Sequence, residues 1–318
     1  MKRTIAFSRP GAAAAGFAWA RDPEFVGVHV VIRLDAATVL LQWSVGGLFF
    51  LWFTTRRREV GLGYGWLLRG TYLLMALGGF AAGVAFGYVP VRDTVALVVA
   101  LVTLAVLIVS IRRKDAGVSG ADVEHDRRTA RVAAMTGIER DGPSAPREGL
   151  EFPPVLDLVA PAIGLVGLLS AGVDASTGGA ENMAVALLRT VVGALFLGAV
   201  TDAMLLGHWY LVQPGLPRKL LNELVRALGW VWPVEVASLL LPTGMFSVWS
   251  GEVDDGWNGT LGWFWGACAV TTIVLVFVTR AALKERYYSA VMAATGLLYL
   301  AILTAFGTDL VARAVLAG

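Results

Sequence analysis

The side chains of this 318-residue chain that could do chemistry are few, and the sharpest of them interrupt long apolar runs. Glu235 stands in G-W-V-W-P-V-E-V, just after Trp230, Trp232 and Pro233. An ionisable group inside such a run is costly against lipid, so it marks either a functional pocket or a paired structural charge. Burial favours the protonated carboxyl, which suits a proton carrier; an arginine-paired or protonated structural glutamate is the other reading. Pro233 removes one backbone hydrogen bond and is expected to bend the helix beside it. Arg69 and Arg189 are the possible partners, and Trp230, Trp232 or a span-two group such as Arg69 is expected to line the same space. Arg33 and Asp35 read as a pair with each other at the outer surface.

Asp202 and His208 lie six positions apart in T-D-A-M-L-L-G-H-W-Y, a spacing that places them on different faces of a helix. His208, Trp209 and Tyr210 combine a hydrogen-bonding ring with aromatic bodies. Such a group suits a quinone carbonyl or a lipid headgroup, or serves as an aromatic anchor at the membrane interface. The candidate ligand or proton-handling residues are therefore Glu235, His208, Asp202, Arg69, Arg189, Tyr210 and Trp232.

Other chemistries find no support. One cysteine, Cys268, excludes a disulfide framework and Cys-based metal centres. His29, His125 and His208 fall at different depths, so a bis-histidine haem is not expected. No phosphate loop, nucleophile elbow or H-E-x-x-H pattern is present, and no metal site is assigned. The acidic loop W-S-G-E-V-D-D-G-W-N-G-T lacks calcium-loop spacing and reads as solvated. A net charge of +2 gives no reason to expect nucleic acid as a partner.

The elements that must position these residues are transmembrane helices. Hydrophobic residues make up 57% of the chain and charged residues 16%, with a mean hydropathy of +0.68. Soluble domains run near 45–50% and about 25%. Eight apolar runs are long enough to cross a bilayer: 35–55, 66–88, 94–111, 155–173, 183–206, 224–247, 260–280 and 288–311. The fold class is an all-α integral membrane protein of the cell membrane, multi-pass, with the lipid bilayer as its solvent.

Basic residues cluster in alternate connections: Arg56, Arg57 and Arg58; Arg112, Arg113 and Lys114; Arg218 and Lys219; Arg280, Lys284 and Arg286. These connections are expected in the cytoplasm and both termini outside it. The tail, residues 1–34, opposes this with Lys2, Arg3, Arg9 and Arg21 but is still placed extracytoplasmically. Ala18-Trp19-Ala20 resembles a signal-peptidase site, although Arg9 and Pro10 interrupt the apolar core; a mobile or interfacial tail is the preferred reading. Residues 112–154 form a polar linker, read as cytoplasmic and partly disordered.

The chain also resembles itself. Without gaps, Leu40-Leu41, Val45-Gly46, Leu48-Phe49 and Thr54 meet Leu187-Leu188, Val192-Gly193, Leu195-Phe196 and Thr201. Val102-Thr103 and Arg112 meet Val270-Thr271 and Arg280, and spans four and eight share Val159, Ala162 and Gly164 against Val291, Ala294 and Gly296. The expected domains are one four-helix half over 35–111 and 155–173, and a second within 174–318. They would be tandem bundles of one orientation, related by a pseudo-twofold axis along the membrane normal. Gly79, Gly83 and Gly87 form a strip of small residues, read as an intramolecular packing surface.

Eight spans in two halves with outer termini resemble the NrfD/PsrC-type quinol-interacting membrane subunits. That resemblance covers architecture over about 280 residues. It implies a polytopic subunit of a redox complex, in contact with quinone, quinol or lipid, partnered by other membrane or electron-carrying subunits. A small-solute or proton transporter and a non-catalytic assembly scaffold are the alternatives, and whether the chain is an enzyme stays open.

Overall fold

The structure, a computed structural model, describes residues 35–137, 149–177, 182–213, 215–285 and 287–316. The tail 1–34 lies outside them, and with it the cleavage site, His29 and Arg33. The described residues form ten α-helices: α1 Ala36–Thr55, α2 Leu62–Phe86, α3 Pro90–Arg112, α4 Ser119–Thr136, α5 Val159–Ser176, α6 Met183–Val212, α7 Arg218–Leu240, α8 Gly244–Ser250, α9 Thr260–Ala282 and α10 Tyr288–Leu316. Seven are long and apolar enough to cross a membrane, and α7 with α8, bent by 56°, counts as an eighth if the bent pair crosses as one span. The chain is a multi-pass membrane protein by these criteria.

Helix starts follow local chemistry. Asp35 caps α1 by accepting from the backbone N–H groups of Ala37 and Thr38, and Asn182 caps α6 through Ala184. Pro90 opens α3, where its missing N–H is no loss. The sixth span departs from the expected continuous run over 224–247. Its helix passes through Pro233 without interruption and breaks instead after Leu240, around Pro242. The carbonyls left over at such a break must find donors. Arg189 supplies them: Nε donates to the Ser238 carbonyl at 2.9 Å and a terminal nitrogen donates to that of Leu241. Gly244, at φ +40°, lets the chain turn, since a Cβ there would lie 2.1 Å from the Leu239 carbonyl oxygen.

Charges sit inside and large apolar side chains outside, the inverse of a soluble protein. Arg69, Arg92, Asp93, Asp157, Arg189, Asp202, Glu235 and Asp309 are buried, whereas Leu74, Phe86, Trp263 and Leu303 are exposed. Helices α1 and α6 run parallel through the centre. Gln42 donates to the Thr190 carbonyl at 2.7 Å, Trp43 to Thr201 Oγ1 at 2.9 Å, and the Gly61 amide to Gln213 at 3.0 Å. Two of the three strip glycines pack inside the molecule: a Cβ on Gly79 would meet the Ala37 carbonyl, and one on Gly83 would strike the Asp93 carboxylate, whereas Gly87 caps the end of α2 and is exposed. The polar linker contains α4, in which no residue of described burial is buried; residues 138–148 lie outside the described residues.

Candidate functional site

Polar groups gather at four places, which are best located by the two ends of α1. At the Asp35 end, α6, α7 and α10 bring together Arg189, Glu235, Asp309 and Arg313. Arg313 Nε donates to both Asp309 oxygens at 2.9 Å, and a terminal nitrogen of Arg313 reaches the Arg189 carbonyl at 2.9 Å. Gly193 makes room, because a Cβ there would sit 2.2 Å from the Arg313 guanidinium. Glu235 is fully buried and lies in the field of Asp309, Arg313 and Arg189. Among the described residues no arginine or backbone donor is bonded to its oxygens, and its neighbour is the Asp309 carboxyl, with which it can share a proton. Two buried carboxyls side by side inside a bundle form a place where a proton or a polar ligand can be held.

The expected partnership of Glu235 is therefore half right in its residues. Arg189 is beside it, but Arg69 is at the opposite end, where α2, α3 and the turn Pro154–Leu158 meet. There Arg69 grips Asp157 with two bonds, Nε to Oδ1 at 2.7 Å and a terminal nitrogen to Oδ2 at 2.8 Å. Ser110 takes a third bond at 3.2 Å, and the guanidinium lies over the Phe152 ring at 4.5 Å. A small pocket, open to solvent, lies beside it between Arg58, Gly65, Glu151 and Phe152. Trp230 does not line the interior either, since it is 73% exposed. Trp232 is half-buried and ties α7 to α9 by donating to the Ala269 carbonyl at 3.0 Å.

Asp202 is fully buried between α6 and α2, and its Oδ1 accepts the Tyr72 hydroxyl. Its Oδ2 has no partner among the described residues, and the Tyr64 hydroxyl lies toward that of Thr54. Tyr210 closes the α6–α7 turn by donating to the Pro217 carbonyl at 2.7 Å. His208 faces away from Asp202, as their spacing predicts. It is exposed on the apolar flank of α6 and α10, with Nδ1 3.2 Å from the Tyr299 hydroxyl and the two rings edge to face.

One surface reading changes and another gains a partner. Asp35 pairs with Arg92 at 2.5 Å, and Arg92 also holds Asp93 at 2.7 Å; Arg33, the partner expected for Asp35, lies outside the described residues. The loop 251–259 is not simply solvated acid. Burial within the loop opposes charge on Asp255, but amides of Gly259, Trp257, Leu261 and Gly262 turned toward it hold the carboxyl below the usual range. Three of these bonds are 2.8 Å long, and they fasten the start of α9.

Asp309 and Arg313 are the residues that sequence reading passed over, and their i, i+4 spacing inside an apolar run is a visible signal. Tyr72, Tyr64 and Asp157 carry no such mark, because their partners are more than eighty positions away or lie on no motif. No family model, curated protein or solved structure matches the chain.

Proposed function

We propose that this chain is a membrane subunit of a redox complex that receives a quinone, quinol or lipid headgroup from the bilayer at His208 and Tyr299. The observation that carries this reading is a hydrogen-bonded polar pair on an apolar flank, where exposed Leu211, Leu300 and Leu303 surround it. Polar groups there are costly unless a ligand or partner covers them. If Tyr299 donates to Nδ1, the imidazole carries its proton on Nε2, free to meet a carbonyl oxygen arriving along the acyl chains.

The helix neighbourhoods support tandem halves. Helices α1, α2, α3 and α5 pack in a closed ring of neighbours, and so do α6, α7, α9 and α10. The parallel course of α1 and α6 agrees with one shared orientation, as in the quinol-interacting subunits the sequence resembles. Basic connections at the Arg57 end favour a cytoplasmic position for it, and both termini would then be extracytoplasmic. Electrons would be supplied by partner subunits.

Purification in mild detergent tests this. Bound quinone or lipid should co-purify with the wild-type chain, together with electron-carrying subunits, and His208→Leu should weaken the bound headgroup by about tenfold, the worth of one hydrogen bond. Unchanged binding, or no ligand and no redox partner, would leave the scaffold reading. A second reading, a proton or small-solute transporter, rests on the buried Glu235 carboxyl beside Asp309.

A further inference from the structure

Three buried polar atoms lie in order from the Arg57 end toward the centre of the bundle: Glu59 Oε2, the Tyr64 hydroxyl beside that of Thr54, and Asp202 Oδ2; among the described residues the two carboxylate oxygens have no hydrogen-bond partner. Glu59 is anchored beside the aqueous end, with Oε1 2.6 Å from Lys219 Nζ. Tyr64 is fully buried on α2, its ring 5.8 Å from that of Trp209, and it lies within the electrostatic reach of both Tyr210 and Asp202. Tyr210 in turn lies within reach of Glu59. Asp202 and Tyr210 are two helical turns apart on one face of α6, the face turned to α2. Orphaned polar atoms at such depth are normally served by ordered water.

The groups around Asp202 do not neutralise a negative charge. From α1 come Ser44, bonded to the Tyr72 carbonyl at 2.9 Å, and Trp43, bonded to Thr201. From α2 come Tyr72 and Tyr64, and from α10 comes Thr295 one turn away, against Gly207. Arg226 of α7 is exposed, and Glu235, Asp309 and Arg313 gather near Arg189, about 20 Å along α6 from Asp202. Beyond Asp202 toward them the path closes. Gly198 sits against the backbone of Gly46, with no room even for a Cβ.

We infer that Asp202 is a proton-binding site loaded from the Arg57 end by way of Glu59 and Tyr64 with bridging water, and closed toward the Asp35 end by the Gly46–Gly198 crossing. Asp202 holds the proton on its free Oδ2, while Tyr72 donates to Oδ1. On release the O–H bond of the acid breaks and the proton passes to a water beside Tyr64; the phenol oxygen takes a proton from that water as its own O–H bond breaks, and the proton given up passes through water to the Glu59 carboxylate at the Arg57 end. The site does not depend on a quinone at His208.

Infrared spectroscopy of the purified full chain in lipid nanodiscs tests this. At neutral pH the spectrum should contain a protonated carboxyl C=O stretch that Asp202→Asn removes. Transfer to D2O should shift that band, and Tyr64→Phe should slow the shift at least tenfold. Tyr72→Phe should change the band's frequency by deleting the donor to Oδ1. Should Asp202→Asn fail to accumulate, the two phenylalanine variants, which delete only hydroxyls, carry the test. The proposal is overturned if Asp202→Asn removes no band, or if Tyr64→Phe exchanges as fast as the wild type.

Discussion

Gly46 on α1 and Gly198 on α6 touch backbone to backbone. A Cβ on Gly198 would lie 2.2 Å from the Gly46 carbonyl carbon, and one on Gly46 would lie 1.7 Å from the Ala194 carbonyl oxygen. Backbone cannot swing aside as a side chain can, so the helices would have to separate and strain the Gln42 and Trp43 bonds between them. Either Gly→Ala change should destabilise the protein by about 3 kcal/mol. Gly70→Ala is the control: nothing lies within 4 Å of its Cβ, and helix propensity should favour it by up to about 1 kcal/mol. Melting of the three variants in detergent would decide, and equal melting points would refute the close contact.

Membrane spans were legible because backbone hydrogen bonding in lipid forces long, continuous apolar helices, and the sequence pattern records that directly. The end of the sixth span was not, because hydropathy stays high through S-L-L-L-P-T-G-M-F while the backbone breaks at Pro242. Glu235, Arg189 and Asp202 stood out as charges in apolar runs. Their partners did not, since Asp157 meets Arg69 across 88 positions and Tyr72 meets Asp202 across 130. Only Asp309 with Arg313 offered a local signal.

The Arg69–Asp157 pair is buried on both sides, so removing one member strands the other. Asp157→Leu or Arg69→Met should each cost about 3–5 kcal/mol, whereas the double substitution should recover most of that loss. A double-mutant cycle on thermal stability measures this. Additive losses would mean that the two side chains act independently.

Orientation can be read by labelling introduced cysteines, since the native Cys268 is buried. With the basic connections in the cytoplasm, a cysteine near Asp254 should react with an impermeant reagent added outside intact cells. One near Arg218 should react only after permeabilisation. The reverse pattern would invert the assigned topology.

Asp255 links the loop before α9 to pH. Its folded carboxyl is held below the ordinary value of 3.8, so its contribution is fully present above that value and is lost as pH falls through the lower, folded one. Hydrogen exchange at the α9 N-terminus should stay protected from neutral pH down to the ordinary carboxylate range and open below it. Asp255→Asn should open the segment already at neutral pH and flatten the acid dependence. A wild-type segment whose protection does not change with acid would contradict the capping role.

Glu235 separates a working carboxyl from a structural one. With Asp309, Arg313 and Arg189 it makes two carboxyls facing two guanidiniums; Arg313 bonds Asp309, whereas among the described residues the Glu235 oxygens meet the Asp309 carboxyl and no bonded guanidinium. A charge kept for structure alone would be expected to be paired and fully bonded at this depth. Glu235→Gln keeps shape and hydrogen-bonding capacity but cannot exchange a proton, whereas Glu235→Leu removes the polar contact as well. We expect the Gln variant to accumulate in the membrane and melt within about 1 kcal/mol of wild type, as isosteric changes do. It should nevertheless lose quinone-linked turnover or proton flux. The Leu variant should lose the activity and stability together, because the neighbouring guanidiniums then face an apolar wall. Normal activity in the Gln variant, with instability only in the Leu variant, would make Glu235 a structural residue and remove the support it gives to proton transport.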